Sequence, residues 1–344
     1  MTTKMRSEIG EQPEALRATL DSLLPRVGEV TALGEETRQL LFIARGTSDN
    51  AAVYGRYLVE SHAGRLAALA APSIATTYKR KLDLTGVLAV AISQSGRTEE
   101  IVETLAWAKE CGARTVGITN GGEDSPLAQA ADVALCTLAG EEKAVPATKT
   151  YTTQLAALAV LALGLGADVD RDDLRRVPGA VEQLIAEPGD LEAVVDGLAD
   201  KHGAVVSARG LAFSTALETA LKLKEACYLH AMGLSYADLL HGPIAVVDAD
   251  TPALLVAAEN SPTLPGTVAL AERVVAAGAA AYTIGGGSAL AKAGTAALNG
   301  PALPEWVAPM GLIVPGQLLT EALARRLGID PDAPRGLNKV TQTD

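Results

Sequence analysis

The sequence predicts an α/β protein made of two copies of one unit, each a parallel sheet flanked by helices in three α/β/α layers, flavodoxin-like. Three observations predict it. Short apolar runs alternate with helical stretches of about 10–15 residues. The runs in the first half stop at a glycine just before a polar helix start. The same grammar then begins again: AVVSARGLAFSTALETALKLKEA (Ala204 to Ala226) follows the pattern of LFIARGTSDNAAVYGRYLVES (Leu41 to Ser61), with Ala-Arg-Gly at 44–46 and again at 208–210. A repeat at an offset of roughly 165 residues means two copies of a single fold.

Taken in order, residues 11–40 read as helical with a polar face. LLFIARGTSDNAAVYGRYLVES (Leu40 to Ser61) reads strand, glycine turn, helix, and VLAVAISQSGRTEEIVETLAWAKECG (Val87 to Gly112) repeats that order. RTVGITN (Arg114 to Asn120) and VALCTLAG (Val133 to Gly140) are further strands. YTTQLAALAVLALGLG closes the half as a helix; its apolar stretch, Leu155 to Val169, is too short and glycine-interrupted to span a bilayer, so it is expected to be buried. The charged, proline-containing ADVDRDDLRRVPGA (Ala167 to Ala180) reads as a linker. PALLVAAENS (Pro252 to Ser261) then matches VLAVAISQSG, and ERVVAAGAAAYTIGG (Glu272 to Gly286) matches AWAKECGARTVGIT. The expected division is an N-terminal helical segment (1–35), a first, phosphate-binding unit (36–166), a linker with helix (167–200), a second unit (201–328) and a C-terminal tail (329–344).

Composition bounds the function. At 48% hydrophobic over 344 residues, a large core is within reach, and only 3% aromatics means that Ala, Val, Leu and Gly must build it. A net charge of −12 argues against nucleic acid or an anionic membrane as partner. Any phosphate must be held locally, by backbone N–H groups and hydroxyls. The three cysteines, Cys111, Cys136 and Cys227, are far apart and lack C-x-x-C spacing, which speaks against a disulfide framework or a zinc site and fits a reducing compartment. The N-terminus MTTKMRSEIGEQ has no apolar targeting core, so a cytoplasmic location is expected.

Two strand ends in the first half carry hydroxyls around a glycine: ARGTSDN and ISQSGRTEE. In an open parallel sheet, ligands sit at the carboxyl ends of strands, where helix N-termini present N–H groups and a positive dipole end. Thr47, Ser48, Ser93, Ser95 and Thr98 can each donate an O–H, and Gly46 and Gly96 let the backbone come close. Together they would form a neutral, donor-rich cradle for a phosphate dianion. The plain alternative is helix capping, which favours the same residue types. The second copy has RGLAF for RGTSD and ENSPT for SQSGRT, so the cluster is confined to one half.

A second region is LETALKLKEACYLHAMGLSYADLLHGP (Leu217 to Pro243). Glu218, Lys222 and Glu225 fall at i, i+4 and i+7 on one helical face. That is either a solvated ion-pair stripe or a partly buried carboxylate beside an ammonium, suited to proton transfer. His241, in LLHGP, reads as a turn-capping or core residue on its own. His230 reads as structural near the end of the helix, and His62 and His202 as surface residues. The tail DAPRGLNKVTQTD is loop-like, of a kind that usually frays.

These stretches carry a resemblance. RGTS, SQSG-x-T, ATKTYTTQL, ALKLKE, HGP and a terminal PR-x-L-x-K, in that order from about Leu40 to the C-terminus, resemble the tandem SIS (sugar isomerase) proteins, most nearly the isomerase half of the glucosamine-6-phosphate synthases. The resemblance implies that Thr47, Ser48, Ser93, Gln94, Ser95 and Thr98 hold a sugar phosphate. It implies that Glu225 moves a proton between C1 and C2, and that Lys222 and Glu218 orient and charge-balance the site. It implies further that His241 assists ring opening from the partner subunit of a homodimer with a shared active site, and that Lys339 reaches the open-chain carbonyl, where an amine can form an imine. No metal or organic cofactor is implied. Two positions depart from the family pattern: Arg97 stands for a glutamate in SQSGRT, and Ala147 stands for a sugar-facing serine in VPATK. With no glutaminase segment ahead of Met1-Thr2, the expected activity is glucosamine-6-phosphate deamination with aldose–ketose isomerisation. The alternatives are a fructosamine-6-phosphate deglycase, another phosphosugar isomerase, or a non-catalytic phosphosugar sensor.

Overall fold

The structure, a computed structural model, describes residues 2–339. Among these residues ten strands form two five-stranded sheets, every pairing between them parallel. The first sheet runs β2-β1-β3-β4-β5, with β1 Gln39–Ile43, β2 Leu66–Leu69, β3 Val87–Ser93, β4 Arg114–Thr119 and β5 Val133–Cys136. The second runs β7-β6-β8-β9-β10, with β6 Gly203–Ala208, β7 His230–Ser235, β8 Ala253–Ala257, β9 Ala281–Gly285 and β10 Ala296–Leu298. Both have the flavodoxin-like order, in which the chain reverses direction across the sheet between the first and third strands. The central strands are buried on both faces, which is why VLAVAI and ALLVA read as unbroken apolar runs.

The chain divides into two compact units. One holds the first sheet: Glu14–Glu142, Lys149–Arg175 and residues 338–339. The helix Lys149–Gly164 is its spine; Leu155 to Ala162 are all inaccessible to solvent, as expected for a buried helix. Among the described residues no helix is long and apolar enough to cross a membrane. The other unit holds the second sheet: residues 2–13, Lys143–Thr148 and Arg176–Leu337. Its central helix is Pro309–Arg326, buried from Pro309 to Ala324. The N-terminus belongs to this unit. The N–H groups of Lys4 and Met5 donate to the Asp332 carboxylate, both at 2.8 Å, and Gln12 Nε2 donates to Gln317 Oε1 at 2.9 Å.

Several local expectations are corrected. The stretch read as a linker at 167–180 enters a helix, Asp173–Ala186, which carries Pro178 inside it. VALCTLAG is strand only to Cys136. His230 is not on the helix but opens β7, and it is exposed.

Candidate active site

The hydroxyl cluster falls at the reversal point of the first sheet, on the loops leaving β1 and β3. Gly46 opens the first loop with φ 57°, a left-handed conformation that glycine adopts without strain. Thr47 and Ser48 then begin the helix Thr47–His62, and Ser48 is buried. On the second loop, Ser93 Oγ lies 3.3 Å from Thr98 Oγ1 and accepts from the Gly96 N–H at 3.2 Å. Ser95 Oγ accepts from the Arg97 N–H at 3.2 Å. Thr98 occupies the N-cap position of the helix Glu99–Glu110, yet its side chain makes no capping hydrogen bond. Simple capping therefore does not account for Thr98.

Both loops are braced. The carbonyls of Gln94 and Gly96 accept from the Asn120 and Leu127 N–H groups at 3.1 and 3.0 Å. A side chain at Gly96 would collide with the hydroxyls of Ser125 and Thr119, each 2.6 Å from where its Cβ would stand. Arg45 Nη2 reaches Glu100 Oε1 at 2.9 Å and ties the first loop to the helix after the second. Burial pushes the Asp49 carboxyl up from its ordinary range, and Arg45 pulls it partly back.

The tail lysine is also held in this unit. Lys339 Nζ donates to Glu142 Oε2 at 2.6 Å, and Glu142 accepts from the N–H and the hydroxyl of Thr150 at 3.1 and 2.7 Å. Glu142 is a buried carboxylate at the N-terminal turn of the helix Lys149–Gly164, where a negative charge is favoured. The tail does not fray as far as Lys339; residues 340–344 lie outside the described residues. Glu142 sits in AGEEKAV, where two adjacent glutamates have the local pattern of a solvated turn, so no short-range signal marks it.

In the other unit, the helix Phe213–Cys227 carries Glu218, Lys222 and Glu225. It is no solvated stripe. Glu218 and Lys222 are inaccessible, while the Glu225 side chain keeps 24% exposure. Lys222 Nζ stands 2.5 Å from Glu225 Oε2 and 3.4 Å from Glu218 Oε1. A buried ammonium is tolerable only with such partners. The result is one half-exposed carboxylate fixed by a rigid cation. The helix ends at Tyr228, left-handed at φ 55°, whose hydroxyl accepts from the Arg335 N–H at 2.8 Å and whose ring lies 4.2 Å beneath the Arg335 guanidinium. His241 caps the short helix Tyr236–Leu240 through its backbone and is exposed, so the reading of a satisfied core histidine is corrected. Ala147, half-buried, is on the segment Lys143–Thr148 of this unit and not in the unit of the hydroxyl cluster.

The reversal point of the second sheet is filled. Ser261 Oγ donates to Glu305 Oε1 at 2.7 Å and lies 2.7 Å from Thr263 Oγ1. A Cβ on Gly210, at the end of β6, would stand 3.6 Å from the same Glu305 oxygen. A carboxylate thus stands against the loops leaving β6 and β8, at the counterpart of the place where the first sheet carries its hydroxyls. Elsewhere in this unit a cavity of about 540 Å³ opens beside the ends of β8 and β9, lined by Glu259, Ser288, Asn299 and glycines 285–287. None of the residues nominated from the sequence lines it, and size alone does not make it the reacting centre.

The SIS domain family matches residues 35–164 and 197–325, one span over each sheet. The chain belongs to the SIS family. Among its relatives is the glutamine–fructose-6-phosphate aminotransferase (isomerizing) of Pyrococcus horikoshii, 34% identical over 343 residues, covering 97% of this chain and 57% of the relative. This SIS chain therefore spans little more than half the length of the curated relatives it matches. The C-terminal domain of glucosamine-fructose-6-phosphate aminotransferase from Francisella tularensis superposes with a TM-score of 0.85 at 29% identity, covering 97% of this chain and 98% of that one. A glucosamine-6-phosphate deaminase from Thermotoga maritima shares the fold, with a TM-score of 0.79 at 24% identity, covering 99% and 100%.

Proposed function

We propose that this SIS protein is a phosphosugar aldose–ketose isomerase, and that its reaction is the deamination of glucosamine 6-phosphate. The observation that carries the reading is the contrast between the two reversal points. One presents a neutral hydroxyl cluster; the other is closed by Glu305. In a chain of net charge −12, such a cluster is suited to a phosphate dianion held by hydrogen bonds rather than by a basic field. The names of the relatives support a hexose 6-phosphate as the bearer of that group.

The chemistry follows from the substrate. In open-chain glucosamine 6-phosphate, C1 is an aldehyde and C2 carries the amine. Glu225 takes the C2 proton while O1 gains one from water, giving an enaminol; Glu225 then returns its proton to C1 as the nitrogen gives one up to water. The product is a 2-imino sugar. Water adds at C2 and ammonia leaves, so that glucosamine 6-phosphate and water become fructose 6-phosphate and ammonia. Lys222 fixes the Glu225 carboxylate at 2.5 Å, and Glu218 balances its charge. His241 is assigned to ring opening, acting from the partner subunit of a homodimer. Lys339 is paired with Glu142 and has no lone pair to offer while protonated, so imine formation at this lysine requires its proton to leave.

The test is release of ammonia and fructose 6-phosphate from glucosamine 6-phosphate by the purified chain. Glu225→Gln should lower kcat by about 10²–10⁴-fold, the range for a general acid–base group. Ammonia at the same rate from both proteins overturns the assignment. A second reading, a deglycase acting on a fructosamine 6-phosphate, is favoured by Arg97, exposed on the loop that carries Ser95. A higher kcat/KM for that substrate than for glucosamine 6-phosphate would select it.

A further inference from the structure

The motif ATKTYTTQL has a feature that sugar-phosphate binding by the strand-end loops leaves unexplained. Its helix is apolar from Leu155 onward, yet the first six residues are all polar or hydroxyl-bearing and none is more than 2% exposed. Buried polar groups are retained when they have partners. Thr152 and Thr153 return their hydroxyls to the carbonyls of Lys149 and Thr150, at 3.0–3.1 Å. Thr150 bonds Glu142. Gln154 reaches a different helix: its Nε2 donates to Ser48 Oγ at 3.0 Å, both groups being buried. The other end of the same amide, Oε1, is buried with no hydrogen-bond partner. An unpaired buried carbonyl is destabilising. A leucine or methionine would fill that space without an orphaned oxygen and would lose only the bond to Ser48, so that bond is what the glutamine supplies.

We infer that Gln154 is a positioning residue for the anion site, resting on the reading of that site given above. A serine hydroxyl has one proton and two lone pairs. With a lone pair of Ser48 Oγ accepting from Gln154, the hydroxyl is fixed in one rotamer and its own proton is committed elsewhere. Ser48 stands in the first turn of the helix at the reversal point, beside the Thr47 hydroxyl. Gln154 thereby turns an ambivalent hydroxyl into an obligate donor, the polarity an anion requires.

A double-mutant cycle tests this, with fructose 6-phosphate titrated calorimetrically into the full chain and into Ser48→Ala, Gln154→Leu and the double variant. A hydrogen bond to a charged group corresponds to about tenfold or more in affinity. Ser48→Ala and Gln154→Leu should each weaken binding about tenfold, and the double variant should bind no more weakly than Ser48→Ala. Unchanged binding by Ser48→Ala would sink the anion-site reading itself. Weakened binding by Ser48→Ala with unchanged binding by Gln154→Leu would overturn only the role of Gln154. So would additive losses, which report a packing effect acting independently of Ser48. Gln154→Glu provides a variant of nearly the same shape in which the carboxylate accepts the Ser48 proton. It should lose binding at least as severely as Gln154→Leu, and wild-type affinity in Gln154→Glu would reject the inference.

Discussion

Ser93 and Thr98 hold each other, and Ser93 and Ser95 hold the loop backbone, through bonds of 3.2–3.3 Å, long enough to be exchanged for shorter, charge-assisted bonds to an anion. Ser95→Ala or Thr98→Ala should therefore raise KM for a phosphorylated sugar while kcat changes little. Steady-state kinetics decide this, and an unchanged KM in both would place the phosphate elsewhere. At this scale the sequence was informative where residues of one kind cluster within a few positions, as in SQSGRT, or recur at helical spacing, as in Glu218, Lys222 and Glu225. It was silent where meaning arises between distant residues. Glu142 matters through Lys339, Gln154 through Ser48, and Glu305 through Ser261; each lies in a local context that reads as ordinary loop or helix.

The strands missed in the sequence share a physical cause. β2, β7 and β10 are edge strands, with burial on few positions, and LAAL, HAMGLS and AAL lack the unbroken apolar run that burial on both faces produces. β1, β3, β4, β6, β8 and β9, the interior strands, were all legible. The packing of the helix Phe213–Cys227 on Pro309–Arg326 also has a measurable consequence. Cys227 Sγ donates to the Thr320 carbonyl at 3.3 Å, and burial pushes its thiol up to about 12 from an ordinary 9.0. The unfolded chain releases this proton near pH 9 and the folded chain near 12, so between them the unfolded state binds fewer protons. The contribution is fully present below about pH 9 and is lost as pH rises toward 12, on the order of 4 kcal/mol at the limit. Denaturant melts from pH 8 to 11 should show stability falling, and falling less steeply in Cys227→Ala. Equal slopes would show that the thiol titrates freely in the folded state.

Across the whole molecule, the proposed binding of a phosphosugar by an acidic chain without a basic field predicts an unusual salt response. A net charge of −12 repels the substrate at long range, and salt screens that repulsion. KM for the phosphosugar should fall as ionic strength rises from about 10 to 150 mM, where the Debye length shortens from roughly 30 to 8 Å. A rise in KM would reveal a basic anchor and reject the neutral cradle.

Glu305 closes the counterpart crevice with a charge that the chain itself carries. One copy of the fold therefore carries its own permanent anion, while on the proposed reading the other takes its anion from a phosphorylated sugar. Scarcity of phosphorylated sugar should loosen the loops after β1 and β3 and leave those after β6 and β8 as tight as before. Hydrogen exchange with and without fructose 6-phosphate reads this asymmetry directly, and equal protection changes in both copies would contradict it.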